Sequence, residues 1–307
     1  MEISVVIPIF NEEANIHLLH ERLVNAVTAV TNDYELIFVN DGSKDKSLSI
    51  IKELAAKFPQ VKFIDFSKNF GHQIAVFAGL EHAQGNTIVI IDADLQDPPE
   101  LIKDLYTKLQ QGYDVVFAQR EQRVGESWHK LLTAKLYYRV LNRLSEVEIP
   151  LDTGDFRIIT KKVKDIIVSM PEHNKFLRGQ IAWTGFNQTS ILYKREERHA
   201  GNTNYPYSKM LKFAFDGITS FSNIPLRLAT YLGFMVSFVA FLVIVYTLYQ
   251  KYFKHDVVQG WSSLMVSILF IGGVQLICLG IIGEYLGRIM DNVKKRPLYI
   301  VKDSNCK

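Results

Sequence analysis

Residues 87–106 read TIVIIDADLQDPPELIKDLY. An apolar run ends in a turn that carries Asp92, Asp94 and Asp97, with Glu100 close behind. Two prolines then open a helical pattern, at the place where a missing N–H costs nothing. Two carboxylates about 5 Å apart repel by about 3 kcal/mol at an effective dielectric near 20. Residues 91–100 hold no Lys or Arg to offset this. In extended backbone Asp92 and Asp94 point to one side. A hard dication, Mg2+ or Mn2+, answers such a pair, because it takes oxygen ligands from one or two carboxylates and from substrate phosphates. Gln96 offers a neutral oxygen to the same ion, while Asp97 and Glu100 suit the start of the next helix, where acids favour the dipole.

The same strand-then-helix pattern surrounds this stretch. ISVVIP (3–8), YELIFVN (34–40), VKFIDFS (61–67) and DVVFAQ (114–119) are apolar runs separated by amphipathic segments. Ser43 or Asp45 can cap the helix after the second run. This order predicts an α/β fold built on a doubly wound, mostly parallel sheet, with strands buried on both faces. Ligands in such sheets lie outside the carboxyl ends of the strands. Pro8, Asn11 and Glu12 end the first strand, and Asp41 of NDGS ends the second. A nucleoside fits between these ends, and Asp41 can accept from a base N–H or a ribose hydroxyl. Other sites with similar residues fail on spacing. A calcium loop starting at Asp92 needs Gly and Glu where Asp97 and Lys103 stand. A D-x-D-x-T phosphatase pattern meets Gln96 at its fifth position. A dinucleotide fingerprint needs glycines where PIFNEEANI stands.

The 307 residues carry a net charge of +3, too mild a surplus to point to nucleic acid. The N-terminus reads as a first strand rather than a signal peptide. The two cysteines, Cys278 and Cys306, form no disulfide framework. Residues 228–250 and 261–283 hold no charge. Each run is about 35 Å long as a helix, enough to cross a hydrocarbon core of about 30 Å. The short link makes them a hairpin. Arg227, Lys209 and Lys212 before it and Arg288, Lys294, Lys295 and Arg296 after it place the large domain and both termini in the cytoplasm. Gly280, Gly283 and Gly287 have the spacing of a close helix contact, and homo-oligomers through these helices are an expectation. The expected units are a catalytic domain over 1–205, an amphipathic juxtamembrane helix over 206–227, two membrane helices over 228–287 and a basic tail over 288–307. A strand is expected over 187–195 and a helix over 128–144.

VVIPIFNEE, VNDGSKD, SKNFGHQIAVFAGL, DADLQDPPE, DTGDFRI and the terminal hairpin together resemble the family-2 glycosyltransferases of the GT-A fold. The closest resemblance is to polyisoprenyl-phosphate glycosyltransferases, similar to dolichyl-phosphate mannose synthase, and within them to the bacterial bactoprenol glucosyltransferase group. It spans essentially the whole chain. It implies inverting transfer of a sugar from a nucleotide sugar, UDP-glucose or a related UDP-sugar, to undecaprenyl phosphate at the inner membrane. Asp92, Asp94 and Gln96 match the family's metal and diphosphate site, with Asp94 also counted as catalytic. Pro8, Phe10, Glu12, Asp41 and Ala93 match its nucleotide-sugar contacts. Arg120, Arg178 and Arg198 match basic residues that face phosphates. Asp155 matches the acidic residue on the acceptor side, a base or an orienter. Asn204 departs from the pattern, since related sequences often have lysine there; the resemblance implies either that Lys209 covers for it or that phosphate contacts there are weaker. Two other readings share parts of this sequence. A processive polysaccharide synthase would show a Q-x-x-R-W-type motif and more spans, and a non-catalytic nucleotide-sugar-binding membrane subunit would bind without turnover.

Overall fold

The protein is described from a computed structural model covering residues 1–121, 153–194, 224–249 and 260–306. The helices expected over 128–144 and 206–221, and the candidates Arg198 and Lys209, lie outside the described residues. The elements in chain order are β1 (Ile3–Ile9), α1 (Ile16–Thr28), β2 (Tyr34–Asn40), α2 (Ser47–Lys57), β3 (Val61–Phe66), α3 (His72–His82) and β4 (Thr87–Ile90). A 3-10 turn (Pro99–Leu101) then leads into α4 (Ile102–Leu109), β5 (Val115–Arg120), β6 (Thr153–Thr160), α5 (Lys161–Ser169), α6 (Leu177–Trp183) and β7 (Gln188–Tyr193). The C-terminal part is α7 (Ile224–Tyr249), α8 (Trp261–Lys294) and β8 (Val301–Ser304).

The strands form one sheet in the order β7-β5-β6-β4-β1-β2-β3-β8. Neighbours are parallel from β4 through β1 and β2 to β3, and again between β5 and β7. Side-chain alternation sorts the core into two halves. Ile3, Val5, Ile7 and Ile9 of β1 pack with Leu19 and Leu23 of α1, Ile51 of α2 and Leu105 of α4. Val6 points the other way, with Ala75 and Ala78 of α3, Val163 of α5 and Ile181 of α6. Helices therefore cover both faces, as the doubly wound reading requires. Contact is closest at Gly79 of α3, where an added Cβ would lie 2.2 Å from Cγ1 of Val6. Gly79→Ala is expected to destabilise the domain by about 1–3 kcal/mol through overpacking, despite alanine's better helix propensity. Thermal unfolding of the variant reads this directly, and an unchanged midpoint would mean a looser β1–α3 seam.

Two strands correct the expected order. β6 runs antiparallel between β4 and β5, which are therefore not neighbours. Its sequence, TGDFRIIT, hides a fully covered strand behind Asp155 and Arg157, both buried. The second is β8, which pairs antiparallel with β3 from within the segment expected to be a basic tail. Its residues VKDS carry no apolar signal because it is an exposed edge strand. The strand expected over 187–195 is β7.

The two C-terminal helices pack on each other, with the Cys278 thiol 3.6 Å from the Ala229 carbonyl. Helix α7 starts four residues before the charge-free run and takes in Arg227. Helix α8, at 34 residues, is about 51 Å long and exceeds a hydrocarbon core. Within it Phe270–Lys294 is long and apolar enough to cross a membrane, and none of it is buried in the protein. Among the described residues, a Cβ at Gly280, Gly283 or Gly287 would meet nothing within 4 Å, so no close contact is formed there with them.

Candidate active site

The carboxyl ends of β1, β2 and β4 and the start of β6 converge on one edge of the sheet. The antiparallel register pairs Thr87 with Thr160 and Ile90 with Arg157. Continued past the end of β4, it sets residue 155 opposite residue 92. Asp92 and Asp155 therefore meet because of β6, the strand that the apolar pattern does not show.

Asp155 is the hub. Arg178 Nε of α6 donates to its Oδ1 at 2.7 Å, and Gln73 Nε2 of α3 donates to its Oδ2 at 3.3 Å. His72 Nε2 lies 3.0 Å from the same Oδ2 and 3.4 Å from Asp92 Oδ1. The Arg157 guanidinium is 3.8 Å away and also donates to the Gly154 carbonyl at 2.9 Å. Burial would raise the Asp155 pKa, but Arg178 and His72 outweigh it and hold the carboxyl well below the usual range. Burial lowers the His72 pKa, and the Asp92 and Asp155 carboxylates more than reverse this, to about 9.

Asp92 goes the opposite way. Burial, with help from Asp155, Asp97 and Asp94 and against His72, pushes its pKa up to about 6. Its Oδ1 is buried without a hydrogen-bond partner. Ligand atoms of His72, Asp92 and Asp155 lie within 4.8 Å of one another. A crowded carboxylate whose Oδ1 faces His72 at 3.4 Å without a hydrogen bond is what a hard dication stabilises, so the residues fit a metal. Asp94, also buried, accepts the Gln96 N–H at 3.1 Å. The turn between them holds Leu95 at φ 58°, a left-handed conformation that costs about 1–3 kcal/mol and that the surrounding fold must enforce. A dication bound through Asp92 would need that carboxylate ionised, so Mn2+ affinity is expected to fall about tenfold per pH unit below about 6. A Mn2+ titration followed by electron paramagnetic resonance at pH 5 and pH 7 measures this, and equal affinities would contradict it.

A second network flanks the first. Tyr193 at the end of β7 donates to Asp97 Oδ1. A Cβ on Gly154 would come within 3.4 Å of both Asp97 Oδ2 and Arg120. Asp97, only 1% exposed, is thus part of the site wall rather than a solvated helix start. Glu100 does sit at the helix entrance, where Arg22 grips it with two hydrogen bonds of 2.8 and 2.7 Å.

The expected nucleoside end is built by two stitched loops. Asn11 N–H donates to Ser43 Oγ (3.0 Å), Glu12 N–H to Ser47 Oγ (2.9 Å) and Glu13 N–H to Asp45 Oδ2 (3.1 Å). In return Lys44 N–H donates to Asn11 Oδ1 at 2.8 Å. Asp45 also accepts the Ser47 N–H at 3.0 Å, although the N-cap position of α2 is Lys46 and makes no side-chain cap bond. Pro8 is buried, Glu12 is half-buried and Phe10 is 46% exposed at the mouth. Ala93 is buried beside Asp92. Asp41 is placed at this edge, yet its carboxylate faces inward and accepts the Phe70 and Gly71 N–H groups at 2.6 and 3.0 Å. It positions the loop before α3. Gly42, at φ 68°, lets that loop cross, since a Cβ there would lie 2.6 Å from the Asn69 nitrogen.

Arg120, Arg178, Asp92, Asp94 and Asp155 lie along this one edge of the sheet. His72, Gln73, Arg157 and Tyr193 join them without having been singled out, and so does Asp97, expected at the start of the next helix. The one sequence signal for His72 and Gln73 is their place in NFGHQ, after the end of β3.

The chain matches Glycosyl transferase family 2 over residues 4–167 and the GtrB C-terminal hairpin over residues 224–289. An uncharacterized glycosyltransferase of Bacillus subtilis is 51% identical over 99% of this chain and 94% of its own length. A prophage bactoprenol glucosyl transferase homolog of Escherichia coli is 42% identical over 98% of this chain and 99% of its own length. Among solved structures, glucosyl-3-phosphoglycerate synthase from Mycobacterium tuberculosis is 20% identical over 71% of this chain and 77% of that one, with a TM-score of 0.46. The sheet, its acidic edge and full-length relatives lead to one conclusion: the chain belongs to glycosyl transferase family 2, and it is a glycosyltransferase with a GT-A-like fold and a C-terminal helical hairpin.

Proposed function

We propose that the protein transfers a sugar from a nucleotide sugar, UDP-glucose or a related UDP-sugar, to undecaprenyl phosphate, with inversion, at the cytoplasmic face of the inner membrane. The observation that carries this is the pairing of Asp92 and Asp155, braced by His72 and Arg178, in a chain that ends in an apolar hairpin. Full-length relatives named bactoprenol glucosyl transferase support the acceptor class.

The proposed roles follow the edge of the sheet. Pro8, Phe10 and Glu12 contact the nucleoside between the stitched loops, and Asp41 keeps the third loop in register. Ala93 lines the same end. Asp92, Asp94 and Gln96 hold Mg2+ or Mn2+, with His72 next to them. The ion, when bound, neutralises charge on the leaving diphosphate. An oxygen of the acceptor phosphate attacks the anomeric carbon as the bond to the nucleoside diphosphate breaks. Two anions must approach for this, so Arg178 and Arg120, with Arg198 and Lys209, lower their repulsion. The acceptor is a phosphate monoester with a second pKa of about 6 and is mostly dianionic at neutral pH. It needs no strong base. Asp155, held ionised by Arg178 and His72, is a weak base and serves as the orienter of both.

Residues 1–205 form the catalytic domain in this reading, the juxtamembrane segment expected over 206–227 gives way to α7 at Ile224, and α7 and α8 span the membrane with both termini in the cytoplasm. The hairpin holds the site at headgroup level, where a prenyl phosphate presents its phosphate. The segment after it also completes the sheet, so deletion from residue 228 onward removes β8 along with the anchor. The test is a donor panel. Purified protein in vesicles containing undecaprenyl phosphate is given labelled nucleotide sugars, and label moving into lipid is counted. Transfer from one donor supports the reading, and donor binding without transfer across the panel sinks it.

A further inference from the structure

The chain turns at Lys295, φ 47°, after the end of α8, and runs back over the catalytic domain. It makes two grips there. Asn292, in the last turn of α8, accepts the His173 N–H through Oδ1 at 2.9 Å. His173 belongs to the loop over residues 170–176, which delivers α6. That loop is stiff: the Lys175 ammonium donates to the Met170 carbonyl at 2.6 Å and lies 4.0 Å from the centre of the Phe77 ring. At the loop's far end the Leu177 N–H donates to Gln73 Oε1 at 3.1 Å, and Arg178 follows on Asp155.

The second grip is Tyr299. Its ring stacks on Phe66 at 4.9 Å, and its hydroxyl donates to Glu81 Oε2 at 2.6 Å. The Ser67 N–H donates to the Ile300 carbonyl at 3.0 Å, and β8 continues the pairing along β3. Phe66 meets Phe70 edge-on at 5.6 Å, and Phe70 and Gly71 are the residues that Asp41 holds. His72 comes next.

Two segments, 67–72 and 170–178, therefore carry His72 and Arg178 to Asp155; the second rests on the last turn of α8 and the first on the stretch that follows it. We propose that Asn292 and Tyr299 are positioning residues for glycosyl transfer: this C-terminal limb sets Arg178 and His72 against Asp155 and ties that placement to the membrane helix. Neither residue touches the reacting groups. Both lock the elements on which those groups sit, and a displacement of about 1 Å at a reacting centre costs up to about a hundredfold in rate. The inference rests on the proposed function for its rate readout, and on the structure alone for a second readout.

The test uses the full chain in lipid vesicles with undecaprenyl phosphate and the active donor. Asn292→Ala removes the acceptor of the His173 N–H, whereas Asn292→Asp keeps an oxygen in its place. Tyr299→Ala removes the stack, whereas Tyr299→Phe keeps it. Asn292→Ala and Tyr299→Ala are expected to lower kcat about tenfold, with KM for the donor changed less than about twofold. Asn292→Asp and Tyr299→Phe are expected to recover most of the rate. Hydrogen exchange is followed in parallel. It is expected to rise over 170–178 in Asn292→Ala and over 67–72 in Tyr299→Ala, with β1 and β2 unchanged. An unchanged kcat, or exchange that rises across the whole sheet with a lower melting temperature, overturns the proposal. If the unaltered protein transfers no sugar from any donor, the proposed function fails. Hydrogen exchange then decides the positioning claim alone: a local rise supports it and no rise overturns it.

Discussion

Asp92→Asn is expected to lower turnover about a thousandfold while leaving the fold intact. The amide keeps the size of the side chain and removes the charge. That charge is held at some cost, since burial and three neighbouring carboxylates push the Asp92 pKa up to about 6. Losing it relieves repulsion within the protein, so the variant is expected to be as stable as the parent or slightly more so. Under the proposed function, binding of Mn2+ and charge stabilisation at the diphosphate are expected to go with it. A loss of about 4 kcal/mol of transition-state stabilisation corresponds to about a thousandfold in rate. Turnover and melting temperature should therefore move independently. A folded Asp92→Asn variant with turnover within about tenfold of the parent would remove Asp92 from the metal and diphosphate site.

Asp155→Asn should behave differently, because Asp155 is paired and Asp92 is crowded. Its carboxylate answers Arg178 at 2.7 Å, His72 at 3.0 Å and Arg157 at 3.8 Å. Removing one partner of a buried ion pair costs about 3 kcal/mol or more, because the others are left uncompensated. Both stability and turnover are expected to fall, turnover by about a hundredfold or more as Arg178 and His72 lose their common anchor. The sign of the pH effect is fixed by the depressed pKa. A carboxylate held below its ordinary value contributes stability that is fully present above about pH 4. It loses that contribution only as pH falls through the folded value. Parent and variant should therefore differ at pH 7 and converge toward strong acid. A gap that stays constant down to pH 2 would mean that Asp155 is not held this way.

The contrast between the two aspartates shows what was legible in the sequence. Asp92 and Asp94 follow an apolar strand directly, so their place at the ligand edge comes from local pattern. The strands β1 to β5 are visible for the same reason, each being an apolar run bounded by turn residues, whereas β7, QTSILY, is a mixed and partly exposed strand. Strand β6 is not, because its site residues interrupt its apolar pattern with Asp155 and Arg157. The DTGDFRI resemblance marks Asp155 as functional, but only the β4–β6 register places it opposite Asp92. His72 opens α3, Asp97 precedes the 3-10 turn before α4 and Tyr193 ends β7, so only tertiary pairing brings them to one edge. Strand β8 escapes notice for the opposite reason, being polar, short and at the edge of the sheet.

The most direct measurement of the central claim is the mass spectrum of the lipid product formed from undecaprenyl phosphate, a nucleotide sugar and Mn2+. Glycosyl transfer to the acceptor phosphate predicts a lipid heavier by one sugar residue that still carries a single phosphorus, with the nucleoside diphosphate released. A product with two phosphorus atoms and a released nucleoside monophosphate would mean that the bond broken lies within the diphosphate, and would contradict the account.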